Sequence, residues 1–188
     1  MTVKVIGAVG EIGSGKDEVL KYLKARYGIP YISTGDIVRN IAKSENIEAT
    51  RENLEKISLR CFNDLGRGCF IRQAAEEILH RGWKTAGISG VRSPDDVEIM
   101  KTMFGKCFVL IRVDISDPRI RFERVRLRHE ERDPLSFSQF QEQDRNEENT
   151  FQISLTGKDA DHVLNNDGSV EDLHEQIDRL VATAGLLS

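Results

Sequence analysis

The chain has 188 residues, of which 39% are apolar and 31% are charged, so it can form one domain with a buried core and a polar surface. Its formal net charge of −4 argues against a protein built for general nucleic-acid binding. The three cysteines have no CxxC spacing and are odd in number, which favours plain thiols over a disulfide framework or a metal site. No signal peptide and no apolar run of the ~18 residues that span a membrane is recognisable. We therefore expect a cytoplasmic protein, monomeric or a small homo-oligomer, without a membrane or nucleic-acid partner.

Strand-like apolar runs alternate with longer amphipathic runs along the chain. The strands are predicted at residues 3–9, 31–33, 86–91, 107–113 and 162–165. The helices are predicted at residues 16–26, 35–44, 51–65, 70–81, 94–104, 118–129 and 170–184. This alternation predicts an α/β fold in which a five-stranded parallel sheet is covered by helices on both faces. Residues 36–80 hold too many helices for one crossover and residues 129–160 are polar, and such excursions usually lie above the ligand end of the sheet.

A phosphate-binding motif follows the first predicted strand. Residues 10–16 read GEIGSGK, which matches GxxxxGK and opens the first predicted helix. Glycines allow backbone N–H groups to converge on phosphate oxygens, the helix start adds positive potential, and Lys16 reaches the terminal phosphates. The predicted ATP-binding residues in this segment are Gly10, Ile12, Gly13, Ser14, Gly15, Lys16, Asp17 and Glu18.

The position after Lys16 is usually Ser or Thr, whose hydroxyl binds Mg²⁺, but here it is Asp17. A neighbouring strand usually supplies an acidic group for the same ion, yet the third predicted strand ends in the run Ser89-Gly90-Val91 and offers Ser89 in place of an acid. The acid and the hydroxyl have therefore changed places, and Asp17 and Ser89 are the predicted Mg²⁺ ligands. Three alternatives stay open: Asp17 caps the helix start, Ser89 only packs locally, or metal binding is weakened.

The segment 31–39, YISTGDIVR, closely resembles the segment after the second strand of adenylate kinases. This resemblance implies that Ser33, Thr34 and Gly35 line an acceptor site and that Arg39 holds the acceptor's phosphate. Gly90-Val91-Arg92 resembles a shorter form of the Gly…Arg element that grips the same phosphate.

Further segments resemble the parts of these kinases that face the donor. The run 124–128, RVRLR, is similar to the element that enters the lid, and Arg132 and Arg145 resemble lid arginines. Residues 160–169 resemble the last strand and turn of dephospho-coenzyme A kinases and related archaeal nucleotide kinases, which implies that Asn166 lies near the donor's base. The catalytic residues implied together are Lys16, Arg92, Arg124, Arg128 and Arg145. Arg121, Arg124 and Arg128 share a helical face, and a solvated face paired with Glu123, Glu130 and Glu131 is the alternative interpretation.

The expected protein is a P-loop NTPase-fold kinase with an acceptor-binding helical insert at about 36–80 and a short lid at about 129–150. It is expected to transfer the γ-phosphate of ATP, with Mg²⁺, to a small-molecule nucleotide, first of all a nucleoside monophosphate. Two alternatives remain from the sequence alone, a dephospho-coenzyme A kinase and a nucleotide-binding sensor with little turnover.

Overall fold

Parallel strands joined by helices form the framework of the protein, seen in a computed structural model that describes residues 3–127, 134 and 136–187. The strands are β1 (Lys4–Val9), β2 (Tyr31–Ser33), β3 (Thr85–Ser89), β4 (Phe108–Asp114) and β5 (His162–Asn165). The helices are α1 (Lys16–Tyr27), α2 (Thr34–Ser44), α3 (Arg51–Leu65), α4 (Cys69–Arg81), α5 (Pro94–Phe104), α6 (Pro118–Leu127), α7 (Phe137–Phe151), α8 (Ile153–Gly157) and α9 (Val170–Thr183). A 3₁₀ turn at Gly105–Cys107 precedes β4.

The described strands form one five-stranded parallel sheet in the order β2-β3-β1-β4-β5, which confirms the predicted α/β fold. Across the sheet, Ser33 of β2 is paired with Ser89 of β3, and Ser89 is paired with Ala8 of β1. On the other side, Val9 is paired with Arg112 of β4. The carboxyl ends of the strands therefore lie along one edge, where ligands bind in open α/β sheets.

Two hydrophobic cores cover the two faces of the sheet, because alternate strand residues point to opposite sides. In β1, Val5 and Val9 belong to one core, and Ile6 and Ala8 belong to the other. The first core is completed mainly by α2, α4 and α5, through residues that include Val38, Ala74, Ile78, Val97 and Met100. The second is completed by α1 and α9, through residues that include Leu20, Leu23, Leu173 and Ile177.

Capping boxes begin two helices that follow strand ends. Ser169 followed by Asp172 three residues later, just after Asp167-Gly168, is a sequence pattern that predicts such a box at the start of the last helix. In the structure, Ser169 Oγ accepts a hydrogen bond from Asp172 N at 3.1 Å, and the Asp172 carboxylate accepts one from Ser169 N at 2.9 Å. A second box, formed by Ser93 and Asp96, begins α5. These contacts fix where each helix leaves the edge of the sheet at which the strands end.

The described residues show no disulfide, no metal-binding cluster and no membrane-spanning helix. Cys61, Cys69 and Cys107 are free thiols. Within the described ranges, no cluster of three or more His, Cys, Asp or Glu side chains could enclose a metal ion. No described helix combines the length and the apolar composition that crossing a bilayer requires.

Helices α7 and α8 lie in the polar stretch at residues 129–160, for which no helix beyond residue 129 was predicted. Phe140 is the one side chain of α7 that is fully buried, and it packs against Phe122, Val125 and Phe137. The other side chains of α7 are partly or fully exposed and mostly polar, and the helix was not predicted from the sequence. Gln152 adopts a left-handed conformation, with φ of 56°, and separates α7 from α8.

Phe140→Ala tests whether this contact holds α7 in place. Removal of a buried phenyl ring typically costs about 3–5 kcal/mol, so we expect faster hydrogen exchange across α7 and a lower unfolding midpoint. Hydrogen–deuterium exchange read by mass spectrometry measures the first effect, and thermal unfolding measures the second. Gln141→Ala, at an exposed position of the same helix, is the control. Equal exchange in the two variants would mean that other contacts hold α7.

Candidate functional site

The loop between β1 and α1 leaves backbone donors open at the edge of the sheet. Gly15 has a φ of 92°, a left-handed conformation that favours glycine, and it places the next residue, Lys16, at the start of α1. Among the described residues, the N–H groups of Gly13 and Gly15 have no backbone acceptor. Lys16 Nζ lies 3.4 Å from the Glu11 carbonyl oxygen and so stays over the loop. Open donors, a helix start and a lysine together fit a phosphate group.

Three of the predicted nucleotide-binding residues support the loop from behind. The Ser14 N–H donates to Glu11 O at 3.1 Å, and the Ser14 side chain is buried. Asn166, 5% exposed, donates from Nδ2 to Ser14 O at 2.8 Å. Glu18 Oε1 lies 2.9 Å from His174 Nε2 on α9. These contacts hold the loop and the first turn of α1 in shape, and direct contact of these residues with a nucleotide remains a prediction.

Asp17 and Ser89 meet at the ends of α1 and β3. Ser89 Oγ donates a hydrogen bond to Asp17 Oδ1 at 2.7 Å. Surrounding protein atoms desolvate the Asp17 carboxylate and raise its pKa, but Lys16, the Ser89 hydroxyl and Arg92 outweigh this effect, so the pKa lies below its ordinary value. An ionised carboxylate beside a hydroxyl offers oxygen ligands of the kind that Mg²⁺ takes together with phosphates and waters.

The predicted acceptor residues lie next to this pair, at the start of α2. Gly90 has a φ of 100°, and a β-carbon there would collide with Thr34 Oγ1, so the end of β3 is in contact with the first residue of α2. Arg39 folds back over Gly35, whose position for a β-carbon lies 3.4 Å from both terminal nitrogens of the guanidinium. Asp36 Oδ1 accepts hydrogen bonds from Arg39 Nε at 3.1 Å and from Nη2 at 2.5 Å.

Arg92, which follows Ser89 by three residues, is held by three helices. Its N–H donates to Asp96 Oδ2 of α5 at 2.9 Å, and its carbonyl oxygen accepts from Thr156 Oγ1 of α8 at 3.0 Å. Its guanidinium carbon lies 5.3 Å from the centre of the Phe151 ring, and Nη1 lies 4.0 Å from Glu147 Oε1, both on α7. The side chain is thus stacked on an aromatic ring beside the Asp17–Ser89 pair.

The sequence did not identify Arg121 as the link between the loop and α7. Its side chain is 4% exposed, and its terminal nitrogens donate to the Asp144 carboxylate of α7 at 2.8 and 2.6 Å. Nη1 also donates to Ile12 O at 3.0 Å, and Nη2 lies 3.2 Å from Glu11 Oε2. Helical spacing grouped Arg121 with Arg124 and Arg128, and no signal could pair it with Asp144 because α7 had not been predicted.

Beside the loop, on the side of Glu11, lies a recess of about 470 Å³ that is lined in part by Glu11, Arg112, Asp114 and Lys158. Burial raises the pKa of Glu11, and the carboxylates of Asp144, Glu148 and Asp114 raise it further, against the opposing effect of Arg121. Arg112 pairs with Asp114, two residues further along β4. The recess therefore presents cations as well as carboxylates beside the loop.

The arginines that were expected to face the donor lie in different parts of the structure and make different contacts. Arg124 Nη2 donates to Gly168 O at 2.7 Å, so α6 meets the turn that follows β5. Arg145 is exposed on α7, and no contact joins it to the loop in the part of the chain that the structure describes. Arg128 and Arg132 lie outside the described residues, as does the start of the predicted lid.

Comparison of the sequence with known proteins identifies the family of the chain. A family model described as an AAA domain matches residues 9–141. A UPF0200 protein of Thermococcus kodakarensis is 34% identical over 179 residues, which cover 94% of this chain and 96% of that protein. A UPF0200 protein of Pyrococcus horikoshii is 35% identical over 182 residues, which cover 95% of this chain and 96% of the relative.

Solved structures share the fold at low sequence identity. Shikimate kinase from Acinetobacter baumannii in complex with shikimate aligns with a TM-score of 0.61 and 16% identity, covering 99% of this chain and 97% of that chain. A gluconokinase from Sinorhizobium meliloti aligns with a TM-score of 0.60 and 14% identity, covering 97% and 95%. The chain has the P-loop kinase fold of these neighbours, and by sequence it belongs to the UPF0200 family.

Proposed function

We propose that the protein is a kinase that transfers the γ-phosphate of ATP to a nucleoside monophosphate. The main support is the order of groups along one edge of the sheet. Ser33, Ser89 and Ala8 are paired across β2, β3 and β1, so the acceptor segment, the Asp17–Ser89 pair and the phosphate loop follow one another. Adjacent strands are about 4.8 Å apart, so the two substrate segments are about 10 Å apart, with Ser89 between them.

Phosphoryl transfer requires positioning and stabilisation of spreading negative charge more than covalent help. Lys16 and the open N–H groups of Gly13 and Gly15 would hold the donor's phosphates. Arg92 lies at the end of the middle strand, where donor and acceptor would meet. Its fixed backbone and stacked guanidinium suit it to neutralise charge on the transferred group without reorganising.

Asp17 and Ser89 would hold Mg²⁺, which in such kinases neutralises charge on the phosphates of ATP. The two side chains are 2.7 Å apart and come from adjacent elements, so one ion could contact both oxygens. The lowered pKa of Asp17 keeps its carboxylate ionised throughout the neutral range. A role for Asp17 as a plain helix-start acid predicts, by contrast, that any coupling with Ser89 comes from their hydrogen bond alone and does not change with Mg²⁺ concentration.

Arg39 and Arg92 point to an acceptor that carries a phosphate, since guanidinium groups match phosphate oxygens. The STGD–Arg segment favours a nucleoside monophosphate. The turn at residues 166–168, against which Arg124 packs, keeps dephospho-coenzyme A as the second candidate. Measurement of ADP formation with AMP, CMP, GMP, UMP and dephospho-coenzyme A decides between them, and no ADP above the ATP-only background with any acceptor would favour a nucleotide-binding sensor.

Lys16→Met should reduce ADP formation by at least about 100-fold, as loss of one cation or donor at a transition state typically does. The fold should persist, because Lys16 is at the helix start and outside both cores. Circular dichroism and thermal unfolding check the fold. Lys24→Met, at an exposed position of the same helix, is the matched control. A Lys16→Met protein as active as wild type would exclude a kinase that works through this loop.

Arg39→Ala should raise the KM for the acceptor by about tenfold or more, as expected for a lost charge-assisted hydrogen bond, and should leave the KM for ATP unchanged. Initial rates with one substrate varied at a time separate the two constants. Lys43→Ala removes a cation from the last turn of the same helix and should change neither KM. A rise confined to the KM for ATP would reverse the assignment of the two substrate sites.

Asp17→Ser and Ser89→Asp should each reduce activity, for different reasons. The first leaves two hydroxyls and no anion at the metal, and the second brings two carboxylates together near the phosphates. The double variant restores the usual arrangement and should be more active than the product of the two single losses predicts. ADP formation by all four proteins is measured as a function of Mg²⁺ concentration. Strictly multiplicative losses would mean that the two residues do not share an ion.

A further inference from the structure

A short loop brings another arginine to the C-terminal turn of α7. Gly66, Arg67 and Gly68 connect α3 to α4, and the two glycines have φ angles of 84° and 77°. Arg67 Nη1 donates a hydrogen bond to the carbonyl oxygen of Thr150 at 3.1 Å. The loop belongs to the segment predicted to bind the acceptor, and this contact directs it toward α7 rather than away from the sheet.

The same loop lies beside the start of α5, which begins directly after Arg92. A β-carbon on Gly68 would collide with the end of the Ile99 side chain and would lie 3.8 Å from Asp96 Oδ1. Asp96 Oδ2 in turn accepts a hydrogen bond from Arg92 N at 2.9 Å. A single carboxylate therefore separates the backbone next to Arg67 from the backbone of Arg92.

The two arginines also contact consecutive residues of α7. Arg92 lies over the ring of Phe151 and near Glu147, whereas Arg67 is bonded to Thr150. Residues 147, 150 and 151 lie on one face of α7, within a little more than one turn of about 5.4 Å. In the described ranges, Arg67 is exposed and has this one hydrogen bond and no ion pair, so most of its donors face solvent.

We propose that Arg67 is a further cation of the acceptor's phosphate subsite and acts with Arg39 and Arg92. This inference rests on the proposed function and extends it, because it assigns a specificity residue to a loop that the sequence motifs did not include. Several guanidinium groups match the double charge and the several oxygens of a terminal phosphate better than one. Such a subsite selects acceptors that carry a phosphate over acceptors that offer only hydroxyl groups.

A purely structural role for Arg67 makes a different prediction. In that case its hydrogen bond to Thr150 only ties the loop to α7, and its charge is irrelevant. Arg67→Gln separates the two roles, because the glutamine amide can still donate to the Thr150 carbonyl oxygen but carries no charge. Arg81→Gln is the matched control, since Arg81 is an exposed arginine at the other end of α4, where it pairs with Glu77.

The test uses the acceptor with the highest kcat/KM among AMP, CMP, GMP, UMP and dephospho-coenzyme A. Arg67→Gln should raise the acceptor's KM by about tenfold or more, with the KM for ATP unchanged and Arg81→Gln equal to wild type. Calorimetric titration should show weaker binding of the phosphorylated acceptor and unchanged binding of the same molecule without its phosphate.

A wild-type KM for the acceptor in Arg67→Gln would overturn the subsite, as would equal weakening for the acceptor with and without its phosphate. Failure of the proposed function gives a different result, in which wild-type protein forms no ADP above the ATP-only background with any acceptor. The subsite is then judged by calorimetry with AMP and adenosine. The subsite is supported if Arg67→Gln binds AMP more weakly than wild type does but binds adenosine equally well. It is overturned if wild type and Arg67→Gln bind AMP equally, or if neither binds AMP detectably.

Discussion

Parallel pairing of β3 with both β1 and β2 is the constraint on which the site depends. It aligns Ser33, Ser89 and Ala8 across three strands, so the three segments that follow these strands begin at neighbouring points of one edge. One segment leads into the phosphate loop, the next to Arg92, and the third into α2 with Arg39. A slip of one residue would turn every side chain of β3 to the opposite face and place Ser89 away from Asp17. The buried side chains of β3, among them Ala86 and Ile88, resist such a slip because they pack into one core.

Helix α7 joins parts of the site that are distant in sequence. Asp144 receives Arg121 from α6, Glu147 and Phe151 hold Arg92 after β3, and Thr150 receives Arg67 from the α3–α4 loop. Its inner face thus contacts the loop that would bind the donor and two arginines on the acceptor side. Its only fully buried side chain is Phe140, so polar contacts to arginines form much of its attachment. A ligand that competes for those arginines would change how α7 is held, which is a physical route from substrate binding to movement of the segment predicted to be a lid.

The parts of the fold that were predictable are those with strong local signals. Continuous apolar strands, the GxxxxGK motif and the Ser169 capping box each carry their structure within a few residues, and all three occur where the sequence placed them. The pairing of Asp17 with Ser89 was also predictable, because the GxxxxGK motif fixes the position of Asp17 and the end of the third predicted strand fixes that of Ser89. The contacts of Arg121 and Arg67 were not, since each depends on a partner in α7. That helix is mostly polar and has one fully buried side chain, and its contacts with these arginines arise only from the tertiary arrangement.

A chain with a net charge of −4 can bind a triphosphate only if its basic groups are concentrated at the binding site. On the side of the loop that borders the recess, burial raises the pKa of Glu11, and neighbouring carboxylates raise it further. At the end of β3, Lys16, the Ser89 hydroxyl and Arg92 lower the pKa of Asp17 despite desolvation. The two shifts have opposite signs, although both carboxyl groups are partly desolvated and lie only six residues apart in the chain, so the groups around each carboxylate cause the difference. The cations that favour an ionised Asp17 are thus local to the end of β3, beside the start of the acceptor segment, and this arrangement requires no extended basic surface that would attract nucleic acid.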